Sequence, residues 1–130
     1  MNFSLLVLGA PYSDQSVSTA LRFAEAVTAT GNSIYRIFFF HDGVNNGNAL
    51  ITPPQDENNI PAQWQQLAQH HGIDLVICIA SALKRGVLDN VEADRYEQSG
   101  DNLADGFNIS GLGQLIDASV YSDRLVTFGP

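Results

Sequence analysis

Asp74-Leu75-Val76-Ile77-Cys78-Ile79 is the most strand-like run of the chain, and its cysteine is the only one present. In an open parallel sheet, the crevice outside the carboxyl ends of the strands is where ligands bind and chemistry occurs. A lone thiol at such a place can attack, carry a group and release it, with no second cysteine to close a disulfide onto it. The alternative is a small buried hydrophobe, the commonest role of an unpaired cysteine. Both readings of Cys78 stand at this point.

Upstream, Phe3-Ser-Leu-Leu-Val-Leu8 reads as a buried strand broken by Gly9 and Pro11. Val17, Ala20, Leu21, Ala24 and Val27 then recur at helical spacing, with Gly31 where a helix C-terminal glycine belongs. Residues 33–40 form a second strand, in which Phe38, Phe39 and Phe40 point to both faces. Both faces are therefore expected to be covered, as in a parallel sheet sandwiched by helices. Residues 41–59 are rich in Gly, Asn, Asp and Pro and read as a long surface loop. Pro61 suits the first turn of a helix whose apolar stripe is Ile60, Trp64, Leu67 and Ala68, with Gly72 at its end.

Beyond Cys78, residues 80–85 and 89–96 read as short helices and 98–106 as polar loop. A short strand over 107–109, a helix over 112–119 and a closing strand over 124–128 follow. Strand and helix alternate throughout. That order predicts an α/β fold, a three-layer sandwich with a mainly parallel central sheet of about five strands and helices on both faces. No composition shift, repeat or linker divides the chain, so one domain over 1–130 is expected.

With 130 residues, 45% of them hydrophobic, the chain is long enough to bury a core of its own. Its formal charge is −8, six Lys and Arg against fourteen Asp and Glu. A protein that grips a phosphate backbone needs a basic footprint, so direct nucleic-acid binding is not expected. The apolar run from Phe3 to Leu8 is too short to span a bilayer or to serve as a signal peptide. No membrane association and a cytoplasmic location are the expectation. One cysteine excludes an internal disulfide framework and a multi-cysteine zinc site.

Several constellations are candidates for chemistry. Ser110-Gly-Leu-Gly-Gln lacks the third glycine of a dinucleotide fingerprint and the Gly-Lys-Ser/Thr ending of a P-loop, so Ser110 reads as a helix N-cap. A cysteine phosphatase needs arginine six positions after its nucleophile, where this chain has Lys84, with Arg85 one position late. Lysine is a point charge rather than a planar fork, and the reading fails. His70 and His71 sit at a helix end, where cations complement the dipole. His41 with Asp42 is a better site-lining pair, but no third ligand lies at readable spacing, so neither metal nor cofactor is expected. A Cys78–His41 dyad for acyl transfer remains open, since nothing in the sequence shows that the two touch.

Sulfur chemistry fits the residues better. Thiolates are favoured near helix N-termini and near Lys or Arg. Ala80-Ser-Ala-Leu-Lys-Arg85 supplies a turn just after the cysteine, with Ser81 as a further donor and Lys84 and Arg85 nearby. A carrier of sulfane sulfur needs one cysteine: its thiolate takes a sulfur atom as a persulfide, and an incoming thiolate removes it. A second cysteine in reach would close a disulfide and release sulfide instead.

Phe38-Phe-Phe-His-Asp-Gly-Val44 with Asn45 and Asn46, Thr52-Pro-Pro-Gln-Asp56, Trp64, Ile77-Cys-Ile-Ala80, Arg85-Gly-Val87, Ile109-Ser-Gly-Leu-Gly-Gln-Leu115 and Asp123-Arg-Leu-Val126 are specific when taken together. In these residues the chain resembles the DsrE/TusD branch of the DsrE-like sulfur-relay (sulfurtransferase) family over nearly its whole length. The resemblance implies a three-layer fold on a parallel sheet, with Cys78 as the catalytic cysteine that carries persulfide sulfur. It also implies a heterohexamer with two smaller homologous subunits, TusB/TusC-like or DsrH/DsrF-like. A TusA-like donor and a TusE/DsrC-like acceptor would complete the relay, which leads to 2-thiouridine at the wobble position of certain tRNAs. Two alternatives remain: the DsrE-type subunit of dissimilatory sulfur oxidation, or a non-catalytic scaffold subunit with Cys78 in its core.

Overall fold

A computed structural model describes residues 1–130. Its elements run β1 (Asn2–Val7), α1 (Ser16–Ala29), β2 (Ser33–Phe39), a 3-10 segment (His41–Gly47), α2 (Ile60–His71), β3 (Asp74–Cys78), α3 (Ile79–Lys84), α4 (Asn90–Arg95), β4 (Phe107–Ser110), α5 (Gly113–Tyr121) and β5 (Arg124–Phe128). The strands form one sheet in the order β4-β3-β2-β1-β5, and every pairing is parallel. The α/β reading from sequence agrees with this sheet of five strands.

Strand alternation divides the core between two faces. Phe39 meets Trp64 of α2, and Phe3 meets Phe23 of α1, so α1 and α2 cover one face. The opposite face carries α5, which packs on β2, β1 and β5. The phenylalanine run therefore does what its unbroken apolarity requires, with neighbours Phe38 and Phe39 fully buried on opposite faces.

A bulge in β2 tailors the α5 face. Phe3 opposes Ile34 and Ser4 opposes Arg36, which leaves Tyr35 as the extra residue. Tyr35 and Arg36 thus turn to the same side, and both hydrogen-bond Asp117 Oδ2 on α5, at 2.7 and 2.8 Å. Arg36 also binds Asp74 of β3 at 2.7 Å and donates to the Gln114 carbonyl at 2.9 Å.

The helix stripes fall where their periodicity puts them. Val17, Ala20, Leu21, Ala24 and Val27 are the buried residues of α1. In α2, Asn59 caps the N-terminus by accepting from the Ala62 N–H, and Gly72 closes the C-terminus in the left-handed region, φ 65°.

Two expectations are corrected. The stretch 41–59 is a surface loop only in its later part, because Gly43, Val44, Asn46 and Gly47 of the 3-10 segment are buried. The Asn46 amide donates to the Gly9 and Gly43 carbonyls, at 3.1 and 2.8 Å, so this polar residue belongs inside. A Cβ at Gly43 would overlap the Val7 carbonyl oxygen, so the segment lies against the end of β1 where only glycine fits. Ser110 is not a helix N-cap. It ends β4, and Leu112 holds the cap position of α5.

Candidate functional site

β3 lies between β2 and β4, so its carboxyl end is inside the sheet rather than at its rim. Cys78 is the last residue of β3 and the N-cap of α3, with extended backbone, φ −66° and ψ 124°. Strand passes into helix here without a loop. Asp74 reaches Arg36, whose guanidinium reaches α5, so alternation turns Asp74, Val76 and Cys78 to the α5 face. Cys78 opposes Ser110 in the β3–β4 ladder and is 2% exposed.

An N-cap side chain points toward the N–H groups of the second and third helical residues. In α3 these are Ala80 and Ser81, and no side chain caps them. The first-turn amides of a helix have no carbonyl partner within it, so they remain donors for whatever stands at the cap.

Around this junction the structure brings together four of the residues singled out by sequence. Ser81 is buried, and its hydroxyl oxygen accepts the His41 backbone N–H at 3.1 Å. Arg85 donates from Nε to Asp42 Oδ1 at 2.8 Å and from Nη1 to the Ser81 carbonyl at 3.2 Å. His41 has φ 51°, a left-handed backbone that few residues other than glycine adopt. Its ring lies on Phe40, 4.0 Å between centroids and inclined by 32°. Lys84 departs from this group and lines an open groove of about 740 Å³ with Leu83, Tyr96 and Asn102; Cys78 is not among the residues of that groove.

The Asp42–Arg85 pair was hidden in the sequence, since the two are 43 positions apart. The network of Arg36, Asp74, Asp117 and Tyr35 is likewise invisible in the sequence, because a charged residue within an apolar strand does not announce its partners. No group of three or more His, Cys, Asp and Glu side chains is arranged to hold a metal ion. No helix is long and apolar enough to cross a membrane.

Comparison with known proteins places this geometry in context. The family model described as DsrE/DsrF-like matches residues 1–128. The chain is 45% identical, over 99% of its length and 99% of the relative's, to the DsrE protein of Allochromatium vinosum, whose name carries a sulfurtransferase assignment. It is 46% identical to a sulfurtransferase TusD homolog of Pseudomonas aeruginosa, over 99% of this chain and 98% of that one. Among solved structures, the YchN protein from E. coli superposes with a TM-score of 0.78 at 23% identity, covering 98% of this chain and 99% of that chain. A protein of unknown function from Methanobacterium thermoautotrophicum superposes at 0.67 with 14% identity, covering 96% and 97%. These two likenesses concern the fold.

Proposed function

This chain belongs to the DsrE/DsrF-like family and is a sulfurtransferase of the sulfur-relay type; from that premise we propose that Cys78 is the residue that bears the sulfur. One observation carries the reading: the only cysteine of a chain 45% identical to a named sulfurtransferase stands where a central strand turns directly into a helix.

The chemistry needs no group beyond the thiol. Cys78 thiolate attacks the outer sulfur of a donor persulfide, and the S–S bonding pair leaves with the donor's inner sulfur as a thiolate. Cys78 is left as a persulfide. The acceptor's thiolate then attacks the outer sulfur, and Cys78 departs as a thiolate. One sulfane sulfur moves in each step with no net oxidation. The first-turn amides of Ala80 and Ser81 lie at the helix end that Cys78 caps, and its thiol makes no hydrogen bond to them in the resting structure.

The relay we infer runs from a TusA-like donor to a TusE/DsrC-like acceptor, in the cytoplasm, toward 2-thiouridine at the tRNA wobble position. The near-equal identity to a TusD homolog and to DsrE supports both the tRNA branch and its sulfur-oxidation counterpart. The partners that shape the complex are two smaller homologous subunits, TusB/TusC-like or DsrH/DsrF-like, in a heterohexamer. Leu112 at the cap of α5, with Ile116 and Val120 on it, are exposed at four-residue spacing and supply an apolar face suited to such an assembly. A scaffold role is the second reading, favoured by the 2% exposure of Cys78.

Intact-protein mass spectrometry after incubation with a persulfide donor tests the proposal. A species one sulfur atom heavier, reversed by reductant and missing in Cys78→Ser, is the expected result. No added sulfur in the assembled complex, with an active donor, would leave the scaffold reading standing.

A further inference from the structure

A persulfide carrier must be reached in turn by the thiols of two other proteins, yet Cys78 is 2% exposed. Something at the β3–α3 junction has to move. On the β4 side, Cys78 is bound into the sheet ladder opposite Ser110, and movement there would break the sheet. On the β2 side the chain is fixed at two points. The Phe40 N–H is held by the Val7 carbonyl at 3.0 Å. From Gly43 onward, the segment is locked by the close approach to Val7 and by the buried Asn46.

Between these anchors lie His41 and Asp42, both exposed. His41 occupies the left-handed region at φ 51°, a backbone state that needs outside support to persist. Within the segment, the Asp42 carbonyl accepts from Asn45 Nδ2 at 3.0 Å. Two links cross from it to α3: His41 N–H to Ser81 Oγ at 3.1 Å, and Asp42 Oδ1 to Arg85 Nε at 2.8 Å. Ser81 belongs to the turn that Cys78 caps, and Arg85 grips the same turn through the Ser81 carbonyl at 3.2 Å. The Asp42 side chain is 68% exposed, so this ion pair is weak and open to screening by salt. A closure meant to be released by a docking partner has to be of that kind.

We propose that Asp42 and Arg85 are positioning residues that latch the His41–Asp42 segment against the first turn of α3 and thereby govern access to Cys78. The proposal rests on the reading of Cys78 as the sulfur-bearing residue.

Native-state labelling of the full chain with iodoacetamide, a neutral reagent, followed by intact mass, tests it. At low salt, Asp42→Asn and Arg85→Gln are expected to label roughly two- to fivefold faster than wild type, the range an exposed ion pair controls. Wild-type labelling should accelerate with added sodium chloride, and that salt response should vanish in both variants. Arg85→Lys keeps the charge but not the two-pronged grip, and should fall between wild type and Arg85→Gln. Rates and salt response equal in all four proteins would overturn the latch. So would faster labelling that merely tracks a lowered urea midpoint. Sulfur loading measured on the same samples judges the carrier reading separately: a Cys78 that labels as the latch requires but never takes sulfur supports the latch and removes the carrier.

Discussion

Trp64 donates its indole N–H to Asn46 Oδ1 at 3.0 Å, and both side chains are completely buried. The same asparagine holds the Gly9 and Gly43 carbonyls, so one residue ties α2, the exit of β1 and the 3-10 segment together. Asn46→Ala strands an indole N–H away from water and takes a donor from each of two carbonyls. Each loss of this kind costs about 1–3 kcal/mol, and incomplete additivity brings the expected total to roughly 3 kcal/mol. Urea unfolding followed by the fluorescence of Trp64, the only tryptophan, measures it directly. A cost below about 1 kcal/mol would mean that the segment is not held by this side chain.

Cys78 offers a sharper comparison because it stands at a helix N-cap without a capping bond. Serine is a good cap and alanine a poor one, a difference of about 1 kcal/mol. Cys78→Ser is therefore expected to be more stable than Cys78→Ala by about that amount, while neither accepts sulfur. Equilibrium unfolding of the two variants decides the order. If alanine proved the better replacement, the side chain at 78 would point away from the Ala80 and Ser81 amides.

Acid should find the network under α5. Hydrogen bonds from Tyr35 and then Arg36 hold the Asp117 carboxyl below its ordinary range. Burial pulls the Arg36 guanidinium down, but its bonds to Asp74 and Asp117 outweigh that and raise it. For a carboxylate depressed in the folded state, the stabilisation is present in full above the unfolded value of about 3.9 and is lost as pH falls through the folded one. The stability difference between wild type and Asp117→Asn should thus be constant above about pH 5 and close at lower pH. A difference that persists unchanged into strong acid would assign the effect to packing instead of charge.

The exposed stripe on α5 leads to a test of assembly. Ile116 is 64% exposed, so Ile116→Lys should change the stability of the chain alone by no more than about 0.5 kcal/mol. Co-expressed with the two smaller homologous subunits proposed above, the same variant should fail to form the proposed heterohexamer, as read by size-exclusion chromatography with light scattering. An intact complex would move the subunit interface off this face.

Much of the fold was legible because periodicity reports burial. The stripe from Val17 to Val27, the cap-and-glycine frame of α2, and the phenylalanine run all followed from spacing and turn chemistry. The 3-10 segment escapes that rule: its Gly and Asn content signals a surface loop unless a buried partner for Asn46 is known. The site was legible only in part. His41, Asp42, Ser81 and Arg85 stood out by residue type and by nearness to strand ends, whereas their hydrogen bonds join positions about 40 apart.

Composition, periodicity and the single cysteine determined the layered α/β architecture and put a thiol at the carboxyl end of a strand, since these depend on short-range spacing and on which residues avoid water. Only the tertiary structure decided that Cys78 is buried, that its side chain falls on the same side of the sheet as α5, and that Asp42 meets Arg85. Burial and pairing of that kind depend on which distant segments the sheet order brings together, and no local pattern encodes that order.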